Sequence, residues 1–177
     1  LGIRIAGVAF MNEPNLVGGT GAPAGYGVAE YARDYARFVA SVRATAPGIR
    51  ILGPGAVGGA TLGPIAAAGG VRTLSPADLV AASRPPPETM STPRDLASTT
   101  GSWPSSVKAR LADVRDPIWL ARTEETYRYH AALRDANAPG APIWVTETAQ
   151  AACGGSPWAA TFADTPRYVD QLGRLAR

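Results

Sequence analysis

The chain has 177 residues, 46% hydrophobic and 18% charged, with a formal net charge of +3. That is a globular composition, somewhat poorer in charge than the average of roughly 25%. The 17 Lys and Arg residues are scattered along helical patterns without a basic run, which argues against nucleic-acid binding. No stretch reaches the ~18 apolar residues of a membrane helix. A single Cys and a single His exclude an internal disulfide and argue against a protein metal site.

Residues 3–10 (IRIAGVAF) are an apolar run that predicts a buried strand. Residues 12–27 read as a Gly/Pro-rich loop. Over residues 28–46, Val28, Tyr31, Ala32, Tyr35, Phe38, Val39 and Val42 recur at helical spacing, and Pro47-Gly48 stops the helix. Residues 49–52 (IRIL) predict a second strand, followed by a stretch to residue 70 rich in Gly, Ala and Pro. Ser75-Pro76 has the form of an N-cap with Pro at the first helical position, opening a short helix to Ala82. Residues 117–136 predict a helix with Leu120, Tyr127, Ala131 and Leu133 facing inward. Residues 143–146 (IWVT) predict a third strand. Thr165-Pro166 opens a last helix with Tyr168, Val169, Leu172 and Leu175 on one side. This alternation predicts a parallel α/β fold.

Two of the strands end in a carboxylate: Asn12-Glu13-Pro14-Asn15 follows the first, and Thr146-Glu147-Thr148 closes the third. In α/β barrels the active site lies at the C-terminal strand ends, so both glutamates are expected at one pocket. Cleavage of a glycosidic bond uses such a pair. One carboxylic acid protonates the leaving oxygen, and a second carboxylate about 5 Å away attacks the anomeric carbon with net retention. Glu13 is the candidate acid/base and Glu147 the candidate nucleophile. Asn12 is placed to donate to a sugar hydroxyl beside the reacting carbon.

Asn12-Glu13-Pro14 after a strand resembles the acid/base signature of clan A glycoside hydrolases, and Glu147 after Ile-Trp-Val-Thr resembles their nucleophile strand. The run from Trp144 to Arg177 resembles glycoside hydrolase family 79, the heparanase and β-glucuronidase family. The resemblance covers residues 3–78 and 119–177. It implies a partial (β/α)8 TIM barrel covering about strands four to seven, an incomplete catalytic domain over residues 1–177. It also implies a carbohydrate partner, most simply a β-linked glucuronide cleaved by double displacement, with no cofactor. The Gly154-Gly155 turn would hold the sugar carboxylate through backbone N–H groups. Cys153 departs from the small or aromatic residue expected beside those glycines. Residues 84–116 depart further. A strand with a His/Tyr motif is expected there, and the segment shows no His, no Tyr and no apolar run. It is read as a divergent insert or a frame-shifted stretch.

Other readings compete. A clan A enzyme with a different sugar preference is one; a non-catalytic, truncated barrel is another. Residues 53–58 (GPGAVG) match the GxGxxG dinucleotide fingerprint after a strand, with Asp78 following Gly58 by 78 − 58 = 20 positions. Pro54 removes an N–H from that cradle and Gly63-Pro64 interrupts the helix that should face the phosphates, so the loop is read instead as shaping the sugar pocket. Tyr26 and Trp158, in the loops after the two glutamates, are candidate sugar contacts. Trp144 is assigned to the core, and His130 to a packing or surface position on its helix. A closed barrel takes ~250 residues, so the 177-residue chain alone is expected to be poorly folded or aggregation-prone, and inactive. The sequence leaves compartment and oligomeric state open; secretion of a longer form fits it.

Overall fold

The computed structural model describes residues 2–18, 22–57, 72–95, 111–149 and 157–176, with backbone alone at 90–95, 113 and 149. Four strands form one sheet: β1 (Gly7–Ala9), β3 (Arg50–Pro54), β5 (Thr89–Asp95) and β6 (Ile143–Ala149). Their order in space is β1-β3-β5-β6 and every pairing is parallel. A separate antiparallel pair joins β2 (Leu16–Val17) to β4 (Arg72–Thr73). Because spatial order follows chain order, the four-stranded sheet has no reversal point. A doubly wound sheet binds its dinucleotide at such a point.

The first strand is shorter than its apolar run. Pairing begins at Gly7 opposite Arg50, where β3 starts, so the residues before Gly7 lie beyond the end of their neighbour. Ile3 and Ile5 are accordingly 79% and 61% exposed. The loop expected over residues 12–27 contains β2, which pairs with β4.

Residues 84–116, expected to lack a strand, supply β5, the inner strand between β3 and β6. Its sequence TMSTPRD carries little hydrophobic signal. Hydrogen bonding to a strand on each side specifies it instead, and Thr89 at its start is fully buried. Pro93 lacks an N–H and falls where the register with β6 shifts: Thr92 pairs with Val145, but Pro93 pairs with Glu147. Thr146 is therefore an extra residue in β6, a bulge, and a bulge is where a sheet tolerates proline.

Among the described residues four α-helices pack about the sheet and its connections: α1 (Val28–Thr45), α2 (Pro76–Ala82), α3 (Pro117–Asn137) and α4 (Thr165–Leu175). The carboxylate of Glu30 accepts from the Gly27 N–H at 3.0 Å and satisfies a donor at the start of α1. Tyr31, Tyr35 and Val39 bury the inner stripe of α1. Phe10, just past β1, meets Tyr31 and Tyr35 edge-on at 5.8 and 6.2 Å, and those two rings stack at 5.7 Å. This aromatic wedge fixes the end of β1 against α1. At the other end of the helix, Arg43 donates to the carbonyls of Pro47 and Ile49 and pairs with Glu88. Ser75 caps α2 by accepting from the Asp78 N–H at 3.4 Å, and Asp116 caps α3 by accepting from the Ile118 N–H at 2.8 Å.

The inward faces of α3 and α4 differ from the apolar pattern. On α3, Trp119, Leu120, Thr123, Thr126 and His130 are buried, whereas Tyr127 is 38% exposed. His130 is a core residue at 1% exposure. On α4 the buried side chains are Arg167 and Gln171, and Tyr168, Val169 and Leu172 are exposed. The polar face of α4 is held inward by partners. Arg167 pairs with Asp164 and donates to Gln171 at 3.0 Å, and Gln171 exchanges hydrogen bonds with Thr148 of β6. Arg174 ties the same helix to α3 through Glu124 at 2.9 Å.

The Tyr31 hydroxyl bonds Ser83 Oγ at 3.2 Å across to the end of α2, and Ser83 also donates to Leu79 O. Tyr31→Phe removes that one bond and is expected to destabilise by about 1 kcal/mol. Tyr31→Ala empties the wedge and should cost about 3–5 kcal/mol. Chemical denaturation of the two variants measures the difference.

Candidate active site

The parallel sheet sends the C-terminal ends of all four strands to one edge. At that edge a cavity of about 330 Å³ is lined by Ala9, Phe10, Met11, Asn12, Gly55, Thr146 and Glu147. The lining comes from the ends of β1, β3 and β6. Asn12 and Glu147, which are 147 − 12 = 135 positions apart, therefore share one cavity.

Glu13 follows Asn12 and is half-buried. Its backbone is left-handed, with φ 45°, uncommon for a residue other than glycine. Two backbone bonds fix it: the Glu13 N–H donates to Gly55 O at 3.1 Å, and its carbonyl accepts from the Leu16 N–H at 2.9 Å. The second closes a turn through Pro14, which is preset for that position. Strained backbone of this kind is held by its surroundings and concentrates at functional sites.

Glu147 reaches the same edge through the bulge. Thr146 and Glu147 together oppose a single step of β5, and both line the cavity. A bulge re-aims a side chain beside a site. Thr148, next along, is occupied from the opposite side: its hydroxyl and the amide of Gln171 bond at 2.6 and 2.9 Å. Glu147 is solvent-exposed at the cavity mouth.

Tyr26 and Trp158 are not brought to this cavity. Tyr26 is buried in the main core, with its hydroxyl donating to Asp34 at 3.3 Å. Trp158 packs on Trp119 and Leu120. Trp144 is half-buried, and the Arg50 guanidinium lies 6.0 Å from its ring centre. Gly154, Gly155, Cys153 and Gly58 lie outside the described residues. Gly55, from the glycine-rich loop, does reach the cavity wall.

Sequence inspection assigns no role to Asn15 or Thr146. Asn15 looks like an ordinary turn former, and a bulge leaves no local signal. Among the described residues no group of three or more His, Cys, Asp or Glu could hold a metal ion, and no helix is long and apolar enough to cross a membrane. The chain matches no protein-family model and no curated protein.

Burial, then the Asp34 carboxylate, pushes the Tyr26 phenol up to about 12 from 10.0. Burial does the same to Tyr31, also to about 12. Between pH 10 and 12 the unfolded chain releases these protons while the folded chain keeps them. Folding then binds protons, and stability falls as pH rises through that window. Below pH 10 the contribution is fully present. Denaturant midpoints measured from pH 8 to pH 12 should fall at the alkaline end, and Tyr26→Phe should fall less steeply.

Proposed function

We propose that the chain carries the catalytic pair of a retaining β-glycosidase built on a (β/α)8 barrel, with Glu13 as general acid/base and Glu147 as nucleophile. One observation carries this: Asn12, in the turn after β1 that also carries Glu13, and Glu147 of β6 line one cavity at the C-terminal edge of a parallel sheet. Four strands in chain order, with Glu147 on one outer strand and Glu13 in the turn after the other, suit strands four to seven of such a barrel. β5 takes the place of the strand expected between the glycine-rich loop and the nucleophile strand.

In the first step protonated Glu13 gives its proton to the leaving oxygen as Glu147 attacks the anomeric carbon. In the second, Glu13 takes a proton from water, and that water releases the sugar from Glu147. Glu13 is half-buried beside the cavity-lining Asn12. The exposure of Glu147 at the cavity mouth keeps a nucleophile accessible to a sugar. Asn12, also at the cavity, donates to the hydroxyl next to the reacting carbon. The sugar is proposed to be a β-linked uronic acid, its carboxylate taken by backbone N–H groups of Gly154 and Gly155, as the family resemblance implies.

The assay belongs in a closed barrel, with residues 1–177 replacing the corresponding strands of an active family-79 enzyme. An aryl β-glucuronide should be hydrolysed faster than the matching β-glucoside and β-xyloside. Glu13→Ala should lower kcat by about 10²–10⁴-fold on substrates with poor leaving groups. Glu147→Ala should abolish turnover, and azide should restore it with a glycosyl azide of inverted configuration as product. Normal hydrolysis by both alanine variants would sink the assignment.

A further inference from the structure

We propose that Asn15 is a positioning residue whose side-chain amide locks the loop after β1 to the loop after β3, and so fixes the backbone that presents Glu13. The inference rests on Glu13 being the acid/base of the proposed reaction. Asn15 is fully buried at 0% exposure. Its Nδ2 donates to Val57 O at 3.0 Å, and its Oδ1 accepts from the Val57 N–H at 2.9 Å. An asparagine that merely forms a turn bonds to backbone a residue or two away. This one spends both ends of its amide on a residue 42 positions distant.

The clamp lies in register with the bond that holds Glu13. Residue 13 donates to residue 55, and residue 15 exchanges two bonds with residue 57. The amide thus extends, in side-chain form, the backbone ladder that β1 and β3 make at Gly7–Ala9. The Asn15 carbonyl accepts from the Leu74 N–H at 2.9 Å, which brings the segment beside β4 into the same knot. Three loops are therefore tied at one residue, two positions from a left-handed glutamate. An aliphatic side chain at 15 leaves the Val57 N–H and carbonyl unpaired in a buried setting. An ionised aspartate keeps the acceptor, loses the donor and faces a carbonyl.

The test uses the whole 177-residue chain with no demand for turnover. Residue-resolved amide exchange is compared for the unaltered chain, Asn15→Ala and Asn15→Asp. In Asn15→Ala the Glu13 and Val57 amides should exchange at least about 10-fold faster, while those of Val39 and Leu52 keep their protection, as expected for local opening. In Asn15→Asp the protection should return as the pH is lowered, because a protonated carboxyl again donates. Carboxyl ¹³C titration supplies a readout that a purely structural role would not move. Glu147→Gln removes a like charge, so the Glu13 midpoint should fall in the unaltered chain and stay put in the Asn15→Ala background. An unprotected Glu13 amide in the unaltered chain, unchanged protection in Asn15→Ala, or uniform loss at every amide would each overturn the proposal. If Glu147→Gln leaves Glu13 unmoved in the unaltered chain, the carboxylate pair fails, and amide exchange still decides the clamp.

Discussion

Parallel pairing is the constraint on which the rest depends. Two strands can lie side by side in the same direction only if the chain travels back between them, and α1 and α3 are returns of that kind, ahead of β3 and β6. Each return restarts the next strand at the same edge and delivers its C-terminal end to the same place. Residues far apart in the chain are thereby gathered at one edge. The cavity at that edge follows from direction alone, before any side chain is chosen.

Two kinds of packing hold the helices over this sheet. Around α1 the packing is aromatic, with Phe10, Tyr31 and Tyr35 filling the space beside β1 and β3. Around α4 it is polar: the buried Gln171 amide bonds both Thr148 and the Arg167 guanidinium, and the ion pair to Asp164 offsets the cost of burying Arg167. The first arrangement is tolerant of exact geometry. The second is directional, since Gln171 can satisfy Thr148 and Arg167 together from one position only. α4 is thus oriented over β6 by hydrogen bonds, and α1 over β1 by rings.

Much of the secondary structure is legible in the residues. The helix over residues 28–46, the Ser75-Pro76 start and the strand at residues 49–52 all carry strong local signals, and each appears within a residue or two. What is hidden depends on partners. β5 has a polar sequence and exists because a strand flanks it on each side. Ile3 and Ile5 have a strand-like pattern and no strand, because their neighbour starts too late. The outward face of α4 looks like a core stripe until Asp164, Gln171 and Thr148 are seen to hold the other face in. At the cavity, Asn12 and Glu147 were marked by their places at strand ends. Tyr26 and Trp158 were marked only by lying in the following loops, and loop membership says nothing about direction.

The bulge in β6 has a consequence for comparing this strand with others. Side chains along a regular strand alternate between faces, so an ungapped alignment to an unbulged strand transfers a residue's face by odd and even number. Here that parity is broken at Thr146, where β6 spends one residue more than β5. Counted from Val145 by strict alternation, Glu147 would share its face and miss the cavity. An alignment that crosses this strand therefore needs its gap at Thr146. Without the gap, Glu147 is matched to a residue on the other side of the sheet.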